Sequence, residues 1–290
     1  MITFFQTLSN AIMLSAVYML FASGLTLAFG VMKLFNFAHG TLYVLGAYIT
    51  FFLLSALGLS LGSYLLAVLL GTLATALFGI VVERFLLRRF FGDIIPQIII
   101  ALGLSIGIES LYLIVFGEKE KGIKTVISGT IYFGEVAISC SRVFVALVSI
   151  AVMVGLFLLL KRTKMGYFVR AVMQDTDAAR LQGVSTGMVS MSFFALSCAL
   201  AGLCGALLAP VYGNITPYMG GSVLLIAVII VTIGGLGSIP GSILGSIIIG
   251  VIHSFVATYV SGPMSELAGF AVLYLILIFR PMGFFGHPGI

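Results

Sequence analysis

At 290 residues, 61% of them apolar and 8% charged, with a mean hydropathy of +1.26, the chain has too little polar side chain to cover a water-soluble surface. Its net charge of +5 comes from 14 basic and 9 acidic residues scattered between apolar runs, without the aromatic-interleaved basic patch that would imply nucleic acid as a partner. Three cysteines, Cys140, Cys198 and Cys204, have neither CxxC nor metal-ligand spacing and read as inert.

Residues 1–10 carry no basic segment and no small-residue cleavage site, so the apolar run behind them is expected to stay in the membrane. Apolar runs follow at 8–29, 37–57, 63–82, 94–116, 143–160, 189–209, 223–233, 242–259 and 267–279. Most are long enough to cross a ~30 Å hydrocarbon layer at ~1.5 Å per residue. The run at 223–233 is too short to do so alone. It either crosses with help from its flanks or re-enters, buried in protein.

Orientation is read from lysine and arginine. One set of loops holds Lys33, Arg84, Arg88, Arg89, Lys161, Arg162, Lys164, Arg170, Arg180 and Arg280; the other holds Lys119, Lys121, Lys124 and Arg142. The richer set is expected in the cytoplasm, with the N-terminus outside and nine crossings if the short run spans. The expectation is an all-α integral membrane protein, a polytopic bundle of eight to nine transmembrane helices with broken or re-entrant segments and a cytoplasmic C-terminus. Residues 1–290 form a single domain, with an external loop at 117–142 whose 130–136 stretch suits a small strand pair.

Small residues let helices approach in lipid, and two stripes have the spacing: Ser197, Ala201, Gly205 and Ala209, then Gly237, Gly241 and Gly245. They read as packing faces, or as faces lining a pathway or joining a second subunit. Two breaks stand out. Around residues 29–40, Gly30 suits a helix C′ position and Asn36 the N-cap of the next helix, followed by His39, Gly40 and Thr41. At 234–241, Gly234, Gly235 and Gly237 stop a helix, Ser238 caps the next, and Pro240 falls in its first turn. Paired interruptions of this kind mark transporter pathways, although two ordinary turns would give the same pattern. Glu109 and His253 lie within spans, the first a candidate pathway residue and the second a structural one.

The loop 161–187 holds its own helix signal. Asp175 or Asp177 caps a short helix through Ala178, Ala179 and Leu181, and Gly183 ends it. Upstream, Phe168, Val169, Val172 and Met173 make an apolar stripe away from Arg170 and Gln174. Such a helix suits docking to a soluble partner or lying on lipid.

These residues resemble the branched-chain amino-acid ABC transporter permeases of the LivH type. The likeness rests on Gly30 with Asn36-Phe37-Ala38-His39-Gly40, the R-A-x-x-x-D…A-x-x-x-G-V loop from Arg170 to Gly183, and Asn214-Ile215-Thr216-Pro217-Tyr218-Met219-Gly220. It continues through Gly234-Gly235-Leu236-Gly237-Ser238-Ile239-Pro240-Gly241 and Arg280-Pro281-Met282-Gly283. The resemblance implies a subunit of the bacterial cytoplasmic (inner) membrane. Its partners would be a second homologous permease, two ATP-binding subunits and an extracytoplasmic substrate-binding protein. ATP and Mg would be bound by the partners, with no cofactor, metal or catalytic residue in this chain. Arg170, Asp175, Asp177, Ala179, Arg180 and Gly183 would couple to the ATPase. The chain's own lack of a GxxxxGK[ST] loop agrees with that division.

Four positions depart from the pattern: Thr41 and His253 stand where Glu is common, Ile226 where Lys is frequent, and Glu109 where Gln is usual. The expected cargo is therefore amino-acid-like or amide-like and not necessarily leucine, isoleucine and valine. A ribose-type sugar permease and an ion-coupled secondary transporter are the alternatives from neighbouring classes. A membrane-embedded hydrolase is suggested only by Gly103-Leu104-Ser105-Ile106-Gly107, which lacks the required strand-to-helix turn.

Overall fold

The computed structural model describes residues 1–33, 35–90 and 93–286. Eight helices are long and apolar enough to cross a membrane: α1 (Ile2–Met32), α2 (His39–Leu57), α3 (Leu61–Phe85), α4 (Ile94–Phe116), α5 (Cys140–Arg162), α8 (Thr186–Tyr212), α10 (Ile239–Tyr259) and α11 (Gly262–Phe279). Three shorter helices complete the set: α6 (Lys164–Gln174), α7 (Thr176–Leu181) and α9 (Met219–Gly234). In the loop before α5, β2 (Thr130–Phe133) pairs antiparallel with β3 (Val136–Ser139), as the sequence suggested. An unforeseen pair joins β1 (Lys121–Gly122) to β4 (Asn214–Ile215), tying that loop to the chain after α8.

Lipid gives apolar helices no reason to prefer each other, so the bundle is held where backbones can touch. At the centre lies α8. A Cβ on its Gly205 would overlap the carbonyl of Tyr43 in α2, and one on Gly202 would overlap Thr75 of α3, while Gly46 of α2 rests on Gly202. The two serines Ser23 and Ser242 meet at 3.4 Å between α1 and α10. Further along the same pair, Gly250 packs on Ser15 and Ser254 donates to Thr7 O at 2.9 Å, which makes α1 and α10 antiparallel. Between these contacts the Tyr18 hydroxyl meets His253 Nδ1 at 3.0 Å, the structural use of His253 that its position suggested.

The contacts gather the loops at two ends. At one, Gly30 meets Met173 and Gly237, Arg88 covers Gly187, and the chain after α11 folds under Gly235. All ten basic residues assigned to the richer set fall at this basic end, at the ends of α1, α3, α5 and α11, in the turn after α3, or on α6 and α7. At the opposite end, Gln6 Nε2 donates to Ala137 O at 2.8 Å, Arg142 donates to Asn10 Oδ1 at 3.2 Å, and Thr125 donates to Pro210 O at 3.0 Å.

Some local expectations need correction. Gly30 is not a helix stop: α1 runs on to Met32 and turns at Lys33, whose φ of 53° is left-handed. Gly30 instead sits in close contact with the end of the Met173 side chain and beside Gly237, a packing position within the helix. Asn36 is not the N-cap of α2, which falls at Ala38 without a side-chain cap; Asn36 instead accepts the His39 N–H through its backbone carbonyl at 3.0 Å. Leu34, between them, lies outside the described residues. On α6, Val169 and Val172 are buried, but Phe168 is exposed. Gly103 and Gly107 sit in unbroken helix α4, without the strand-to-helix turn that a hydrolase motif needs, and a Cβ at either would meet nothing within 4 Å.

Candidate functional site: two helix breaks and an amphipathic loop

The first break is deeper than a loop. His39 opens α2 against the middle of α1, where its Nε2–H donates to Phe21 O at 3.2 Å and its ring fills the space beside Gly24. Gly24 lies roughly 12 Å before the end of α1 at ~1.5 Å per residue. From Lys33 the chain therefore turns back into the bundle, with Asn36 3% exposed, before α2 begins. The helix α9, of 16 residues, starts at Met219 beside α2 and ends at Gly234 at the basic end, and the chain before it runs from β4 at the opposite end. The starts of the two helices meet: a Cβ on Gly40 would overlap the carbonyl of Gly220, and one on Gly220 would overlap that of Gly40.

Two helix N-termini, each the positive end of a dipole, thus converge inside an apolar bundle, with the His39, Met219 and Gly221 N–H groups bonded to Asn36 O, Thr216 O and Tyr218 O. Around them three side-chain atoms are buried without a hydrogen-bond partner among the described residues: Asn36 Nδ2, His39 Nδ1 and Ser197 Oγ. With Nε2 donating, the Nδ1 of a neutral His39 is a free acceptor. The Thr41 hydroxyl is occupied, donating to Ala38 O at 2.8 Å, and its carbonyl accepts from Tyr112 of α4 at 2.9 Å. Glu109 lies one turn from Tyr112, half-exposed on the flank of α4. Its side chain is not gathered with Asn36 and His39.

The second break lies at the basic end. Gly235 ends α9 at φ +100° and Gly237 has φ +77°; Ser238 then caps α10 by accepting from Gly241 N–H at 3.2 Å, with Pro240 in the first turn. Gly234 and Gly241 touch backbone to backbone. The chain after α11 closes the end of α9, with Phe284 N–H donating to Ile233 O and Phe285 N–H to Gly234 O, each at 2.9 Å. The structure joins the two breaks through Gly30, since a Cβ on Gly237 would lie 3.5 Å from Gly30 Cα.

Beside this junction runs the amphipathic loop. Thr163 caps α6 by accepting from Gly166 N–H at 3.1 Å, and Arg170 donates to Leu160 O and lies 4.7 Å from the Tyr167 ring, bracing the corner after α5. Asp175 caps α7 through Asp177 N–H at 2.9 Å and Ala178 N–H at 3.0 Å. Gly183 follows at φ +81°. Asp177 and Arg180 are exposed, and Ala179 is the buried residue of α7. Asp175→Ala is expected to weaken α7 by about 1 kcal/mol, the usual worth of such a cap. Membrane insertion should be unchanged while α7 becomes more open to proteolysis, which a comparison of membrane yield with the rate of cleavage in this loop would check.

Sequence reasoning missed Glu83 and Arg88. Glu83 is fully buried in the last turn of α3, and Arg88 follows in a 3-10 turn. The available signal was a carboxylate at a helix C-terminus, where the macrodipole disfavours it.

An apolar helical bundle with two interrupted crossings meeting inside it, and an amphipathic loop seated on one interruption, defines a polytopic membrane transport subunit. The family model for the permease component of the branched-chain amino acid transport system matches residues 7–279, and this chain belongs to that family. It is 34% identical to the high-affinity branched-chain amino acid permease protein BraD of Pseudomonas aeruginosa, over 98% of this chain and 96% of that protein. It is 29% identical to the corresponding LivH of Escherichia coli over the same shares. The fructose import permease FrcC of Rhizobium meliloti is similar over only 33% of this chain and 28% of its own length, at 34% identity. No solved structure matches. The relatives are transport permeases, not enzymes, which sets aside the hydrolase alternative.

Proposed function

We propose that the chain is one permease subunit of an ABC importer of a bacterial-type inner membrane, with its basic end in the cytoplasm. It pairs with a second permease, identical or homologous, two ATP-binding subunits and an extracytoplasmic binding protein. Its cargo is a branched-chain or related amino acid. One observation carries the mechanical part: Met173 of α6 presses on Gly30 of α1, which faces Gly237 of the second break. A push on α7, delivered by ATP-driven closure of the partner, is relayed through α6 to the point where both breaks meet. The α2 and α9 N-termini then shift against each other around Asn36 and His39, alternately opening the path. The positive ends of these two helices, with Asn36 Nδ2 unpaired beside them, suit the carboxylate of an amino acid better than an uncharged sugar.

The test is assembly and fuel. Purified through a tag on this chain, the complex should contain ATP-binding subunits and, in liposomes, take up leucine, isoleucine or valine delivered by its binding protein. Uptake should require ATP and survive collapse of the ion gradients. Uptake driven by an ion gradient without nucleotide would reject the proposal, and delivery of a sugar alone would reject the cargo.

A further inference from the structure

A cavity of about 570 Å³ opens at the basic end, between the end of α3, the turn after it and the link from α7 to α8. Glu83, Arg88, Arg180 and Gly187 line it. Glu83 is 0% exposed, and both of its carboxylate oxygens are without a hydrogen-bond partner among the described residues. A carboxylate out of water and unpaired is costly, and the cost is relieved either by taking up a proton or by meeting a cation. Two guanidinium groups border the same cavity, yet neither bonds the carboxylate.

The two arginines are held differently. Arg88 follows α3 directly and lies over Gly187, with Nη2 2.7 Å from where a Cβ would stand, so it is spread between α3 and the first turn of α8. It shares the wall that carries Glu83. Arg180 is exposed on α7, a six-residue helix with Ala179 as its buried residue. Behind it, Gly183 has φ +81° and nothing within 4 Å. The turn at Gly183 is closed onto α7 by Gly183 N–H to Arg180 O and Val184 N–H to Ala179 O, each at 3.0 Å, so α7 and its turn would move together, and Arg180 already borders the cavity that holds Glu83. Ser190 of α8 is the hydroxyl beside Glu83, short of full hydrogen-bond geometry, and Arg88 is the guanidinium whose charge already reaches the carboxylate, so Arg180 is the one that has to travel.

We infer that Glu83 is a positioning residue for energy coupling: it receives Arg180 when the ATP-binding partner presses α7 toward α8, and the ion pair latches α7 onto α3. Arg88, between α3 and the first turn of α8, keeps the wall that carries Glu83 in place. The latch converts displacement of a loosely anchored helix into a pull on α3 and, through the Gly202 and Thr75 contact, on α8. It rests on the reading of this chain as an ABC permease.

The intact complex in liposomes is assayed for solute moved per ATP hydrolysed. Glu83→Gln and Arg180→Met are each expected to lower that ratio about tenfold, and the double variant no further than either alone, because both remove one contact. Assembly with the ATP-binding subunits should stay unchanged in all three. Losses that multiply in the double variant overturn the pairing and point to a cation supplied by the partner. Arg180→Met with an unchanged ratio also overturns it, and that side chain is exposed, so the variant is free of the folding risk at buried Glu83. If the unaltered chain brings down no ATP-binding subunit, the permease reading falls and the latch with it; if only the ratio test fails, the permease reading stands.

Discussion

Gly205→Leu should leave almost no folded protein in the membrane fraction. A Cβ at this position would overlap the Tyr43 carbonyl of α2, and the obstacle is backbone, which cannot rotate away as a side chain can. Separating α2 from α8 also parts Gly46 from Gly202, and the Thr75 contact with Gly202 lies in the same crossing. Overpacking a close-packed interior costs about 1–3 kcal/mol when side chains can yield, and more when backbones must part. In lipid no hydrophobic drive returns the helices to each other, so the loss is not recovered. The matched control is Gly155→Leu on α5, where nothing lies within 4 Å. Equal monodisperse yields of the two variants by size-exclusion chromatography in detergent would show that the crossing does not hold the bundle.

The contrast between those glycines explains what the sequence conveys and what it hides. Spans were legible because a lipid-facing helix needs only length and apolarity, which α4 shows most plainly: Ile95, Ile99, Leu102 and Ile106 are all exposed. The second break was legible because its parts are local, a positive φ at Gly235 and a serine cap with proline behind it. At the first break the left-handed residue is Lys33, which carries no such signal, and Gly30 was misread because a glycine kept for close approach is spelled like one kept for a turn. The meeting of Gly40 with Gly220 joins positions far apart in the chain, and no periodicity reports it. Glu83 was passed over beside Arg84, where it resembles one more charge at a span's end. Its burial follows from how the link between α7 and α8 folds over α3.

Gly235→Leu should reduce transport by more than about tenfold while leaving the protein inserted and assembled, because it strikes the second break without touching the central crossing. At φ +100° and ψ 126° the backbone occupies a region that a residue with a Cβ adopts only under strain of about 1–3 kcal/mol. The new side chain would also run into the backbone of Phe285 and Gly286. Those residues would leave the end of α9, freeing the Ile233 and Gly234 carbonyls that Phe284 and Phe285 now satisfy. The end of α9 would fray next to Gly237, the point through which Gly30 and Met173 are proposed to pass movement to the breaks. Gly235→Ala carries the same strain with a smaller side chain and should fall between the variant and the native chain. Gly221→Ala, with nothing within 4 Å at the start of α9, should transport normally. Faster proteolysis of the C-terminal segment in Gly235→Leu, together with lost uptake, would place the fault at this junction. Full uptake despite a released C-terminal segment would mean that the second break is a turn and not a working part.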